Sequence, residues 1–177
     1  MKKIILVTFF FIGLSVSQAQ GSSDSEQAKQ LKWYTDVKEA ITVSNKEKKP
    51  LMLFFTGSDW CGWCIRLQNE VLKTPEFNKW AKESVILVEL DYPRRTAQSD
   101  EIKKQNSELQ QAFGIQGFPT VYFANATVKD GKVNFEGLGS TGYVAGGPTA
   151  WLAVADPFVK KPVLSPEPTK AKKSKKA

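Results

Sequence analysis

"LMLFFTGSDWCGWCIRL", residues 51–67, runs an unbroken apolar stretch into a small polar turn and then into both cysteines of the chain, set two residues apart between tryptophans. The stretch 51–56 is short enough to be a strand buried on both faces. Gly57, Ser58 and Asp59 supply the turn, and Cys64, Leu67, Val71 and Leu72 then recur at helical spacing. A strand that feeds a cysteine pair at the start of a helix must be explained as a staple, a metal clip or a reactive dithiol. A metal clip needs three or four good ligands, and the chain has no histidine and no third cysteine, which excludes structural zinc. Covalent haem attachment needs a histidine after the second cysteine, where Ile65 stands. A bridge across two residues closes a very small loop and constrains the unfolded chain little, so the pair is a poor staple. As a dithiol its placement makes chemical sense. Cys61 falls in the first turn of the helix, where free backbone N–H groups and the positive dipole end favour thiolate over thiol. Cys64, one turn on, faces the same side and is placed to resolve a mixed disulfide formed at Cys61.

Outward from this motif the chain alternates between the two periods. Residues 36–49 carry Val37, Ala40, Ile41 and Ser44 on one stripe and stop at Pro50, which predicts an amphipathic helix. Thr74 and Pro75 open another helix bearing Phe77, Trp80 and Ala81, and "VILVEL" at 85–90 is the next buried strand. "SDEIKKQNSELQQAFG", 99–114, is a helix stopped by Gly114. "PTVYFA", 119–124, and "VNFEGL", 133–138, are strands joined through "KDGK", and "GGPTAWLAVA" supplies a last helix. Two parallel strands with a helical crossover followed by an antiparallel pair make an α/β fold with a central mixed sheet flanked by helices. The loop "YPRRTAQS", 92–99, is expected to do no more than connect, with Arg94 and Arg95 exposed.

The formal charge of +7 is unevenly placed. Lys2 and Lys3 precede an apolar run from Ile4 to Val16 and a small-x-small end at Ser17–Ala19, the pattern of a secretory signal peptide over 1–19. The end of the chain, "DPFVKKPVLSPEPTKAKKSKKA", adds seven lysines against Asp156 and Glu167. Residues 20–155 are left with sixteen side chains of each sign, so the body has no phosphate-binding footprint and no nucleic-acid partner is expected. The organisation expected is a signal peptide at 1–19, a linker at 20–32, one domain at 33–156 and a Pro/Lys-rich tail at 157–177. The tail's composition is that of a disordered segment. It is expected to be dispensable for chemistry and stability, and it could touch an anionic surface.

"DWCGWC" after a buried strand, with "GFPT" at 117–120 opening a later one, resembles the thioredoxin fold over roughly residues 33–155. "FTGSDWCGWC" with "TPEF" beyond the helix is more similar to exported thioredoxin-like proteins and to reductase domains that handle periplasmic disulfides than to cytosolic thioredoxin. The resemblance implies a thioredoxin-like, periplasmic thiol-disulfide oxidoreductase leaning towards reduction, with no cofactor and no metal. By the same likeness Cys61 is the nucleophile, Cys64 the resolving thiol and Pro119 a cis-proline facing them. Trp60, Gly62, Trp63, Phe118 and Pro119 would contact the substrate, with Phe118 offering backbone for strand-like pairing. The partners implied are client proteins with disulfides or thiols and a separate membrane or periplasmic electron donor. The alternative is a binding module of the same fold whose cysteine pair stays oxidised.

Two departures from the family pattern bear on mechanism. Many thioredoxins place a buried acid six residues before the first cysteine, where this chain has Phe55. Proton transfer to and from Cys64 must then use water or another carboxylate, for which Glu89 and Glu70 are the candidates. The dipeptide Gly62–Trp63 matches neither the Gly-Pro of thioredoxin nor the histidine-bearing pairs of strong oxidants.

Overall fold

The computed structural model describes residues 31–160, so the expected signal peptide, most of the linker and the tail beyond Lys160 lie outside the described residues. Five strands form one sheet in the order β1-β3-β2-β4-β5. β2 (Leu51–Thr56) is central and pairs in parallel with β3 (Ile86–Asp91), which pairs in parallel with β1 (Trp33–Tyr34). On its other side β2 runs antiparallel to β4 (Thr120–Lys129), and β4 to β5 (Lys132–Thr141). Asp130 and Gly131, both at positive φ, make the two-residue turn between them, the geometry whose twist suits a hairpin.

All six side chains of β2 are buried, which is why its sequence shows no alternation. Leu51, Leu53 and Phe55 point to one face, where α1 (Val37–Glu47) and α4 (Asp100–Ala112) cover them with Val37, Ile41 and Leu109. Met52 and Phe54 point to the other face. There they meet α2 (Gly62–Leu67), α3 (Pro75–Ser84) and α5 (Gly147–Lys160) through Leu67, Phe77, Ala81, Trp151 and Ala155. The helix starts are set locally. The side chains of Asp36, Thr74 and Ser99 accept from the first-turn amides of α1, α3 and α4, and Pro75 occupies the first position of α3. α2 continues into a π-helical turn, Gln68–Leu72, closed by the Lys73 N–H donating to the Gln68 carbonyl at 3.0 Å.

The last helix crosses the boundary expected at 156. α5 runs through Pro157 to Lys160, and Phe158 packs on Phe123 with ring centroids 5.6 Å apart. Its ring also fills the space where a side chain on Gly139 would stand. Proline in the last turn forfeits one backbone bond, but the apolar contact beyond it keeps the helix going. A cut after Pro157 would remove the Phe158 ring, which is partly buried against the core.

Candidate active site

At the end of β2 the chain turns through Gly57, whose carbonyl receives the N–H groups of Trp60 and Cys61 at 3.3 and 2.9 Å. Gly57 is required here, because a β-carbon would overlap the indole of Trp60 around its ring nitrogen. Cys61 is the N-cap of α2, and its sulfur accepts the Cys64 N–H at 3.2 Å. Cys61 and Cys64 are joined as a disulfide with Cα atoms 5.2 Å apart. Both belong to the core cluster on the α2 face of the sheet, yet they differ in access: Cys61 is 7% exposed and Cys64 0%. An incoming sulfur meets Cys61 first.

The residues expected around the dithiol fall into two groups. Trp60 is half-buried, donates its indole N–H to the Tyr92 carbonyl at 2.8 Å and meets Phe118 edge-on at 6.0 Å between centroids. Phe118 also stacks on Tyr92 at 4.8 Å, and the Phe118–Pro119 bond that follows is cis. Trp60 and Phe118 thus form one wall that carries Pro119. Gly62 is exposed with open space over its Cα. Trp63 lies on the opposite side, 56% exposed, against Tyr143 at 5.2 Å.

Tyr143 carries no signal in the sequence, because it sits in the loop between β5 and α5, far along the chain from the motif. Its hydroxyl donates to Glu70, which also receives the Arg66 guanidinium at 2.7 Å, and that guanidinium lies over the rings of both Trp63 and Tyr143. The Tyr143 hydroxyl and then Arg66 hold the Glu70 carboxyl below the usual range. Glu70 is therefore engaged as the tie of this aromatic platform and is a poor proton acceptor.

Glu89 has the other chemistry. It lies on β3 opposite Phe54, on the α2 face, and lines a cavity of about 220 Å³ with Trp33, Gln68 and Leu72. Burial, with a smaller contribution from Asp91, raises its pKa. Phe55 faces away from the dithiol and packs on Phe113 in the opposite layer. By the alternation of β2 it is Thr56, fully buried, that faces the motif side.

The loop 92–99 does more than connect. Asp59 accepts the backbone N–H groups of Arg94, Arg95 and Thr96 at 3.0, 2.7 and 3.1 Å, and these bonds hold its carboxyl below the usual range. Ser58 donates through both its N–H and its hydroxyl to Asp91. The turn before Cys61 and the segment after β3 are thus one hydrogen-bonded unit, with the Arg94 guanidinium 3.8 Å above the Trp60 ring.

Comparison with known proteins agrees with this geometry. The family described as a thioredoxin-like domain matches residues 37–141. The chain is 39% identical over 108 residues to "Disulfide bond reductase DsbH" of Chlamydia pneumoniae, covering 60% of this chain and 65% of that one. It is 32% identical over 117 residues to "Thioredoxin-related protein DsbJ" of the same organism, covering 66% of this chain and 33% of the relative. The match thus spans less than two thirds of either relative. Among solved structures, "DsbH Oxidoreductase" superposes with a TM-score of 0.65 at 31% identity, over 81% of this chain and 94% of that one.

Proposed function

The chain belongs to the thioredoxin-like domain family, and on that premise we propose that it is a thiol-disulfide oxidoreductase that reduces the disulfides of client proteins outside the cytoplasm. What carries the reading is the graded access of the pair, with Cys61 at the rim and Cys64 enclosed at the start of one helix. The Cys61 thiolate attacks one sulfur of a client disulfide. The client S–S bond breaks, a Cys61–client bond forms, and the other client sulfur leaves as a thiolate that takes a proton from water. Cys64 then attacks the Cys61 sulfur, which closes the Cys61–Cys64 bond and releases the second client thiol. Two electrons have passed to the client, and a separate donor restores them. Of the two carboxyls considered for the Cys64 proton, Glu89 suits the task, since its pKa is raised and no cation pairs with it among the described residues. Trp60, Gly62, Trp63, Phe118 and Pro119 form the surface that clients meet. The secretory pattern at 1–19 supports a periplasmic location.

The alternative, a binding module with a permanently closed disulfide, predicts an ordinary thiol once the bond is opened. After mild reduction Cys61 at the helix start should alkylate near neutral pH faster than an ordinary exposed thiol. An ordinary rate, together with failure to reduce a disulfide-bonded test protein, supports the binding module.

Trp63 occupies the dipeptide position, and the one cation over its ring among the described residues, Arg66, is paired with Glu70. Trp63→His adds a partly protonated neighbour that favours the Cys61 thiolate, and hence the reduced pair. Each unit by which the Cys61 pKa falls moves the couple about 30 mV towards a stronger oxidant. Equilibration against glutathione buffers measures this, and a variant that becomes more reducing shows that the charge at this position does not set the potential.

A further inference from the structure

The two tryptophans flanking the dithiol both carry a guanidinium, and the two guanidiniums differ in what neutralises them. Over Trp63, Arg66 is paired with Glu70 at 2.7 Å. Over Trp60, Arg94 stacks at 3.8 Å, and neither it nor Arg95 takes part in an ion pair among the described residues. The acids nearest in the hydrogen-bond pattern serve other groups. Asp59 holds the backbone amides of Arg94, Arg95 and Thr96, and Asp91 holds Ser58. Arg94 and Arg95 are both exposed.

From this asymmetry we propose that the Trp60 side of the site is a carboxylate-binding subsite, and that the clients it favours carry Asp or Glu within a few residues of the reacting cysteine. The inference rests on the oxidoreductase reading and adds the substrate class to it. Its physical basis is the preparation of Arg94. The backbone amide is fixed by Asp59, the guanidinium lies 3.8 Å over an indole whose own N–H is tied to the Tyr92 carbonyl, and the residue is exposed. A guanidinium held against a ring in this way loses less freedom when it takes a carboxylate than one on a free stem, and its fork of donors matches the carboxylate edge. Phe118 meets Trp60 edge-on and packs against the core cluster that contains both cysteines, so the wall links the subsite to the dithiol. A client segment lying along the wall brings its neighbouring side chains past Arg94. On the Trp63 side Arg66 is already paired with Glu70, so the two flanks differ in whether their guanidinium is engaged in an ion pair.

The test uses the reduced full-length chain and three peptides that differ only in a Glu, Gln or Lys beside one cysteine, each linked by a disulfide to a chromogenic aromatic thiol. Release of the thiol is followed by absorbance, and each rate is divided by that of the same peptide with dithiothreitol, which removes intrinsic differences in reactivity. The Glu peptide should react about three- to fivefold faster than the Lys peptide at low salt, the size of an exposed ion pair. The advantage should shrink as salt is raised through the physiological range. Arg94→Gln should bring the Glu/Lys ratio close to one, while Arg94→Lys should keep part of it. Equal normalised rates for the three peptides, or a ratio indifferent to both salt and Arg94→Gln, overturns the subsite and leaves the oxidoreductase reading standing. Failure to reduce any peptide faster than dithiothreitol overturns both.

Discussion

The Cys64→Ser variant should hold its clients as mixed disulfides through Cys61, while Cys61→Ser should capture none. The enclosed position of Cys64 makes it useless to an external disulfide but places it one helical turn from the sulfur it must attack. With Cys64 removed, the Cys61–client bond waits for an outside thiol. Oriented intramolecular steps act at effective molarities far above the millimolar level of such thiols, so release should slow by roughly 100-fold or more. Non-reducing electrophoresis after acid quenching reads the trapped species, and mass spectrometry locates the bond. Capture by Cys61→Ser, with none by Cys64→Ser, reverses the two roles and removes the basis for the mechanism above.

Trp151→Ala should be the most damaging core substitution. The residue has no exposed surface, and its ring meets Phe77, Trp80 and Phe123 at 5.8, 6.2 and 6.4 Å between centroids. Removing a side chain of this size costs about 3–5 kcal/mol, which for a domain of this length lowers the melting temperature by roughly 10–20 °C. The indole also donates to the Gly142 carbonyl at 3.0 Å, beside the residue that supports Trp63. Trp151→Phe keeps most of the bulk and gives up that bond, a loss of about 1–2 kcal/mol. Thermal and denaturant unfolding distinguish the two variants. A loss below about 1 kcal/mol for the alanine would mean that the cluster collapses into the gap.

The architecture was legible because its signals are local. An apolar run of strand length, side-chain caps at Asp36, Thr74 and Ser99 and the stop at Gly114 each act within a few residues. The dithiol was legible for the same reason, and the expected cis bond is present before Pro119. What escaped was decided across the chain. β1 is two residues long and has too few positions to show a period. The continuation of α5 past Pro157 depends on Phe158 finding Phe123, and the proline concealed it. Tyr143 meets Glu70 and Trp63, and Asp59 meets the amides of 94–96, through single contacts between distant segments that leave no pattern behind. The loop at 92–99 therefore looked like a connector, when its backbone is bound to the turn that presents Cys61.

That binding is made to main-chain amides rather than to side chains. Asp59 holds the loop in place through N–H groups that every residue except proline supplies, so the identities of residues 94, 95 and 96 can drift while the path of the chain stays the same. The rim of the site is in this respect a changeable label on a fixed frame. If the proposed subsite holds, exchanging the exposed side chains at 94 and 95 should change client preference while the turn before Cys61 keeps its backbone anchor.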